Sequence, residues 1–80
     1  MTAEEIHGKV TAIFRDVLDD DSIVLSPQTT ASDLEEWDSL AHISIVVAIE
    51  RAFRIRFELT ELKPLANVGE LLELIGTKTA

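Results

Sequence analysis

The segment that decides the fold is DSLAHISIVVAIERAF, residues 38–53. Its apolar residues recur at helical spacing, and Ile45, Ile49 and Phe53 form one stripe of an α-helix. Asp38 stands where a carboxylate accepts the unpaired N–H groups of a first helical turn. The pattern therefore predicts a helix that begins directly after Asp38 and buries this stripe.

A second apolar stripe lies on the same predicted helix and consists of Leu40, Ile43 and Val47. A surface helix in a chain of 80 residues needs one apolar face. This helix has more apolar surface than so short a chain can bury. We therefore expect the second stripe to be exposed and to bind a partner protein.

Two further helices flank this segment. Apolar residues at helical spacing predict an amphipathic helix over residues 3–18, and Thr2 and Glu5 have the spacing of a capping box. A last helix is predicted to start at Asn67 and to stop at Gly76, a residue type common directly after helices.

The connections complete the predicted fold. Residues 19–38 are expected to form a packed loop with a short helical turn, because a structureless loop of this length is unusual in a compact domain. Its expected anchors are Ile23, Val24, Leu25, Leu34 and Trp37. Residues 54–59 should be extended with Phe57 turned inward, residues 59–63 should form one helical turn, and residues 77–80 should fray. We expect a single all-α domain over residues 1–80, a bundle of three to four helices with a long loop between the first two.

Composition excludes several classes of function. The chain has 7 Lys and Arg against 15 Asp and Glu, so its net charge of −8 disfavours nucleic-acid binding. It has no cysteine, which excludes disulfides, thiolate nucleophiles and cysteine zinc sites. Its longest apolar run, residues 45–49, is far shorter than the roughly 20 residues that span a bilayer. Because the first residues also lack a signal-peptide pattern, we expect a cytoplasmic monomer without membrane insertion.

Ser39 is the candidate site residue. It follows the longest loop and lies in the first turn of the most apolar helix. A helix N-terminus offers free N–H groups and the positive end of the helix dipole, which favour a phosphate ester on a serine there. Position alone favours an ordinary helix-start serine.

Asp38-Ser39-Leu40 resembles the phosphopantetheine attachment motif of acyl carrier proteins of the stand-alone type. The resemblance extends over nearly the whole chain. The stretch DLEEWDSL, residues 33–40, is similar to the family's loop-to-helix entry. Further matches are the buried positions Ile45, Ile49 and Phe53 and the start of the last helix at Asn67-Val68.

The resemblance implies that a phosphopantetheinyl transferase moves 4′-phosphopantetheine from coenzyme A onto the hydroxyl of Ser39. The thiol of that arm then carries an acyl group as a thioester to acyl-loading and acyl-processing enzymes, and the carrier itself catalyses nothing. Asp38 and Leu40 would belong to the motif that the transferase recognises. From the residues alone, Asp38 is also sufficient as an N-cap and Leu40 as a core residue.

The loop before Ser39 is strongly acidic. Between residues 16 and 38 there are eight acids and no Lys or Arg: Asp16, Asp19, Asp20, Asp21, Asp33, Glu35, Glu36 and Asp38. Such a run is typical of a solvated loop. It can at the same time form a rim that steers basic partner enzymes, with Glu35 and Glu36 as partner-binding residues.

The end of the central helix departs from the family pattern. Fatty-acid carriers carry acids along this helix, whereas here Arg51, Arg54 and Arg56 cluster at its end. Cations favour a helix C-terminus in any protein, and Arg51 is also a candidate partner contact. The departure favours a specialised lipid, polyketide-like or other biosynthetic pathway. An aminoacyl or peptidyl carrier stays open, although the paired glycines common before that serine are missing.

Three other functions compete with that of a carrier. Ser39 and His42 lie one helical turn apart but lack a visible orienting group for a hydrolase. The acids at residues 19–21 do not have the spacing of a calcium loop, so no metal site is predicted. An unmodified helical interaction module shares every feature of the carrier except the use of Ser39.

Overall fold

The structure is a computed structural model that describes residues 2–34, 36–62 and 67–79. Over these residues it contains four α-helices, one 3-10 turn and no strand. The helices are α1 (Ala3–Val17), α2 (Ser39–Phe53), α3 (Leu59–Leu62) and α4 (Val68–Thr79), and the 3-10 turn is Ala31–Asp33. Helix α1 packs against both α2 and α4. The predicted all-α bundle is confirmed.

Helix α1 begins where its capping box fixes the chain. The Oγ1 atom of Thr2 accepts the N–H of Glu5 at 3.2 Å, and the Glu5 carboxylate accepts the N–H of Thr2 at 3.0 Å. These hydrogen bonds from Thr2 lower the pKa of Glu5. The helix ends at Val17, just before Asp19 adopts a left-handed backbone with φ 52°.

One hydrophobic core joins the three long helices and the long loop. Its fully buried side chains are Val10, Phe14, Ile45, Ile49, Val68 and Ile75. The predicted buried stripe of α2 is confirmed, because Ile45, Ile49 and Phe53 all belong to this core. The apolar residues at helical spacing on α1, α2 and α4 thus converge on one interior.

The long loop is packed, as predicted, and contains the short helical turn. Ile23 and Leu25 are buried, and Leu34 and Trp37 are partly buried against the core. The prediction that Val24 is an anchor is wrong, because its side chain is 76% exposed. Residues 23–26 have no helical turn, and successive side chains of an extended segment point to opposite sides. The residue between two buried neighbours therefore faces solvent.

Polar contacts from α1 and α4 hold the loop in place. The Arg15 Nε–H donates to the carbonyl of Ile23 at 2.8 Å. Further along, the N–H of Val68 donates to the carbonyl of Thr29 at 2.8 Å, and Gly69 donates to Pro27 at 2.9 Å. The start of α4 is thereby joined to the middle of the loop, so the loop's length serves internal anchoring.

The connection after α2 has no regular secondary structure over residues 55–58, and Phe57 is partly buried against the core, as predicted. The N–H of Phe57 donates to the Glu50 carboxylate at 2.8 Å. The predicted helical turn is present as α3, and its predicted last residue, Lys63, lies outside the described residues.

Helix α4 is longer than its sequence predicts. Asn67 caps it, since its side-chain oxygen accepts the N–H of Glu70 at 2.9 Å. The predicted end at Gly76 is wrong, because the helix continues to Thr79, and residues 77–79 are helical instead of forming part of a frayed tail. Lys78 explains the extension: its Nζ lies 2.9 Å from the Glu61 carboxylate. This contact to α3 gives the last turn a tertiary partner that a local pattern does not reveal.

Candidate functional site

Ser39 is the first residue of α2 and is exposed. Its hydroxyl makes no hydrogen bond to any residue that the structure describes. The preceding Asp38 has extended backbone angles and caps the helix, because its Oδ1 accepts the N–H of Ala41 at 2.8 Å. The predicted N-cap role of Asp38 is therefore confirmed. The cap fixes where α2 begins and leaves the Ser39 hydroxyl accessible to another protein.

Two aromatic side chains flank Ser39, and the sequence reasoning missed their contact. The Trp37 Nε1–H donates to Nδ1 of His42 at 3.1 Å, and the two rings stack with their centroids 5.8 Å apart. The indole also meets Phe14 of the core edge-on, with centroids 4.9 Å apart. A partly buried tryptophan requires an acceptor for its N–H, and His42 lies five residues further along the chain. The need of the Trp37 N–H for an acceptor was the sequence feature that could have indicated this contact.

This contact determines the hydrogen-bonding state of the imidazole. An indole nitrogen is only a donor, so Nδ1 of His42 must be an acceptor, and the neutral ring carries its proton on Nε2. In a serine–histidine pair the arrangement is the reverse: a carboxylate accepts from Nδ1–H, and Nε2 takes the serine proton. The one lone pair of His42 is therefore occupied by the Trp37 N–H, which argues against His42 as a base towards Ser39.

The second stripe of α2 is exposed, as predicted. Leu40 is 75% exposed, Ile43 61% and Val47 39%. The alternative in which Leu40 is a core residue is wrong, because its side chain lies at the surface beside Ser39. A continuous apolar strip thus runs along α2 from the candidate attachment residue towards the far end of the helix.

A shallow hollow of about 320 Å³ lies against Asp38 and Leu40, the two sequence neighbours of Ser39. It is lined by Val17, Leu18, Glu36, Asp38, Leu40, Ala41 and Ser44. Its walls combine aliphatic side chains with carboxylates at the rim. A phosphopantetheine arm has aliphatic and amide sections and leaves its phosphate at the serine, so the residues present fit such a group.

The structure describes only part of the acidic run that precedes Ser39. Glu36 is exposed and lines the hollow, whereas Glu35 lies outside the described residues. Further back in the loop, hydrogen bonds from the Ser22 hydroxyl and N–H lower the pKa of Asp20. In the part of the chain that is described, no group of three metal-ligating side chains could hold an ion.

Arg51 is not brought near Ser39. It is exposed in the last turn of α2, twelve residues further along the helix, which corresponds to about 18 Å at the rise of an α-helix. The predicted partner-binding residues therefore occupy two regions, an acidic and apolar one at the start of α2 and a basic one at its end. Within the described ranges, no helix is long and apolar enough to cross a membrane.

Comparisons with known proteins agree with this geometry. The family model described as "Phosphopantetheine attachment site" matches residues 8–75. An acyl carrier protein of Picosynechococcus is 35% identical over 77 residues, covering 95% of this chain and 94% of the relative. One from Thermosynechococcus vestitus is 30% identical over 80 residues, covering 100% of this chain and 99% of the relative. The solution structure of a holo acyl carrier protein from Geobacter metallireducens is 47% identical and covers 90% of this chain and 83% of its own, with a TM-score of 0.86.

Proposed function

Because this chain belongs to the acyl carrier protein family and uses a 4′-phosphopantetheine prosthetic group, we propose that the Oγ atom of Ser39 is the attachment point. One observation carries the proposal: the Ser39 hydroxyl is exposed at the start of α2, and no residue in the described ranges hydrogen-bonds to it. None of the other serines on the long loop or on α2 is the first residue of a long helix and directly follows a capping residue, as Ser39 follows Asp38.

The attachment reaction uses Ser39 as the nucleophile. Its Oγ attacks a phosphorus of the coenzyme A diphosphate, an Oγ–P bond forms, and the P–O bond to the nucleotide part breaks. The hydroxyl proton passes to a base of the transferase, and the nucleotide leaves as adenosine 3′,5′-bisphosphate. When attached, the arm supplies a thiol that carries acyl groups as thioesters. A phosphodiester on Ser39 would lie at the positive end of the α2 dipole, which would stabilise its charge.

The chain performs no catalysis in this proposal. The tautomer that Trp37 imposes on His42 supports this view, since Nε2 holds a proton where a hydrolase would need a lone pair. Acyl transfer and acyl modification are then steps of the visiting enzymes, and the carrier contributes attachment, delivery and recognition.

Recognition involves the face of α2 that begins at Ser39. The transferase and the acyl-processing enzymes contact Leu40, Ile43 and Val47, and the exposed carboxylate of Glu36 attracts a basic partner surface. We place the carrier in the cytoplasm as a monomer. The scarcity of acids on α2, where Glu50 is the single one, supports service in a specialised pathway with its own set of enzymes.

The attachment is tested by incubating the folded chain with coenzyme A and a broad-specificity phosphopantetheinyl transferase, followed by intact-mass measurement. The wild type should gain one phosphopantetheine, and Ser39→Ala should gain none. Ser44→Ala is the matched control, because Ser44 is also an exposed serine of α2 but lies beyond the first turn of the helix. The control should be modified as fully as the wild type, and a modified Ser39→Ala chain would refute the assignment.

A further inference from the structure

Three of the seven Lys and Arg residues lie within residues 51–56, although the chain has a net charge of −8. Arg51, Arg54 and Arg56 are all exposed, and none of them forms an ion pair with a carboxylate in the described part of the molecule. The nearest acid in sequence, Glu50, accepts the N–H of Phe57 at 2.8 Å. Glu50 is the one acid among the described residues that line the same groove as the three arginines, so the local charge stays positive.

The three arginines line one groove of about 340 Å³, here called the basic groove, together with Val47, Glu50 and Ile55. Arg54 shapes it by ending α2 with a left-handed backbone, φ 55° and ψ 48°. Glycine or asparagine adopts that conformation at lower cost, so an arginine at this position is not the choice that favours the turn itself. The turn brings Arg51 of the helix and Arg56 of the following segment to the same groove.

We propose that the basic groove docks an acidic segment of a partner enzyme. The proposal rests on the carrier function, since the partner is an enzyme that also reaches the arm on Ser39. Val47 connects the two regions, because it belongs both to the exposed stripe of α2 and to the wall of the groove. A partner helix lying along α2 would place apolar side chains on Leu40 and Val47. Its carboxylates would then meet Arg51, about 18 Å along α2 from Ser39, and the two arginines that follow the helix.

Charge distribution favours a protein over other anionic partners. A polyanionic surface, such as an anionic bilayer or a nucleic acid, would be repelled by the net charge of −8 and by the acidic loop at the other end of α2. A partner protein presents acids locally and avoids that repulsion. The apolar part of the groove, Val47 and Ile55, also suits a protein side chain better than a hydrated inorganic anion.

The test uses two synthetic amphipathic helical peptides of about 18 residues, which are about 27 Å long. Both carry the same apolar stripe, and one has three glutamates in its last turn where the other has three lysines. Titration into the ¹⁵N-labelled holo chain at low ionic strength should show about tenfold tighter binding of the glutamate peptide, with amide shifts at residues 47 and 51–56. The preference should decrease with salt.

Charge reversal provides the decisive comparison. The Arg51→Glu/Arg56→Glu chain should prefer the lysine peptide, and Arg51→Gln/Arg56→Gln, which is less disruptive, should lose the preference. Lys9→Gln is the control, because Lys9 is an exposed cation that does not line the groove, and it should retain the wild-type preference. The control also reports on the end of α2, since the Lys9 Nζ lies 5.5 Å from the centroid of the Phe53 ring. Equal binding of both peptides by the wild type would overturn the proposal.

Two further measurements separate the alternatives. Binding of the wild type to vesicles containing anionic phospholipid, lost in the glutamine variant, would assign the groove to a membrane and overturn the protein proposal. Saturable binding of inorganic phosphate that blocks the glutamate peptide would make it a small-anion site. Phosphopantetheine uptake by the variants, read as intact mass, should be complete, so a failed docking proposal would leave the assignment of Ser39 intact.

Discussion

Trp37 is the residue that connects the candidate attachment site to the core. Its indole packs edge-on against Phe14 and donates its N–H to His42, so one side chain contacts both α1 and the first turn of α2. In the sequence, Ser39 lies between Trp37 and His42. The start of α2 is therefore held by a tertiary contact as well as by its cap.

The contact between Trp37 and His42 predicts energetic coupling. Trp37→Phe keeps an aromatic ring near Phe14 but removes the donor, and His42→Leu removes the acceptor. A double-mutant cycle on the free energy of unfolding should give a coupling of about 0.5–1.5 kcal/mol, the usual net value of one hydrogen bond. Urea denaturation monitored by far-UV circular dichroism measures it. Strictly additive single effects would contradict the contact.

The cap at Asp38 predicts a graded loss of stability. Asp38→Ala removes the acceptor for the N–H of Ala41 and should lower the free energy of unfolding by about 1 kcal/mol. Asp38→Asn keeps a side-chain oxygen and should lose clearly less. Both values come from urea denaturation, and equal losses in the two variants would argue against capping by this side chain.

At the scale of elements, the long loop behaves as part of the bundle. Its middle accepts two backbone hydrogen bonds from the start of α4, those of Val68 and Gly69. The close approach of the two segments leaves little room, because a Cβ atom on Gly69 would lie 2.9 Å from the carbonyl oxygen of Pro27. A glycine is therefore required at this crossing.

Two glycine-to-alanine changes should have opposite effects. Gly69→Ala should destabilise the chain by about 1–3 kcal/mol, because the backbone of the loop must shift to admit a methyl group. Gly8→Ala, within α1, meets nothing within 4 Å and should stabilise by about 0.5–1 kcal/mol through helix propensity. Thermal unfolding of both variants measures this. A neutral Gly69→Ala variant would contradict the close packing of loop and α4.

Local patterns predicted most of the helices but not the contacts between distant segments. The caps at Thr2 and Asp38 and the stripes of α2 depend on neighbours within a few residues, so the sequence reveals them. The extension of α4 depends on Lys78 meeting Glu61, and the outward position of Val24 depends on the path of an extended loop. The pairing of Trp37 with His42 likewise requires the fold. Ser39 itself was found through family resemblance, since its position alone does not distinguish it from other helix-start serines.

At the scale of the whole molecule, charge is distributed unevenly. The net charge of −8 is concentrated towards the loop that precedes Ser39, while the arginines lie at the far end of α2. Like charges in the loop repel each other, and this repulsion opposes folding. The same separation of charge gives the α2 face an acidic end and a basic end for partner recognition.

Salt should therefore stabilise the molecule. Raising sodium chloride from a few millimolar to about 0.15 M shortens the screening length to about 8 Å and weakens the repulsion among the acids. The melting temperature should rise. Screening by sodium and chloride ions accounts for this rise without a specific metal site. A melting temperature that falls with salt would mean that favourable ion pairs outweigh the repulsion.

Acid should remove a different part of the stability. Hydrogen bonds from Thr2, from Ser22 and from the backbone of Glu58 lower the pKa values of Glu5, Asp20 and Glu61, respectively. A carboxyl whose pKa is lower when folded stabilises the fold above its unfolded pKa of about 4, and that contribution disappears as the pH falls through the folded value. The contribution of these three carboxyls to the free energy of unfolding should therefore decrease below about pH 4, while protonation of the loop acids relieves their repulsion. The Glu5→Gln variant should show a shallower decrease.

The central claim is that the arm is attached to Ser39, and its most direct test is to locate the added mass within the chain. Fragmentation mass spectrometry of the coenzyme A-treated protein distinguishes Ser39 from the other serines at 22, 26, 32 and 44. Every fragment containing Ser39, and no fragment lacking it, should carry one phosphopantetheine. A modified fragment that excludes residue 39 would contradict it.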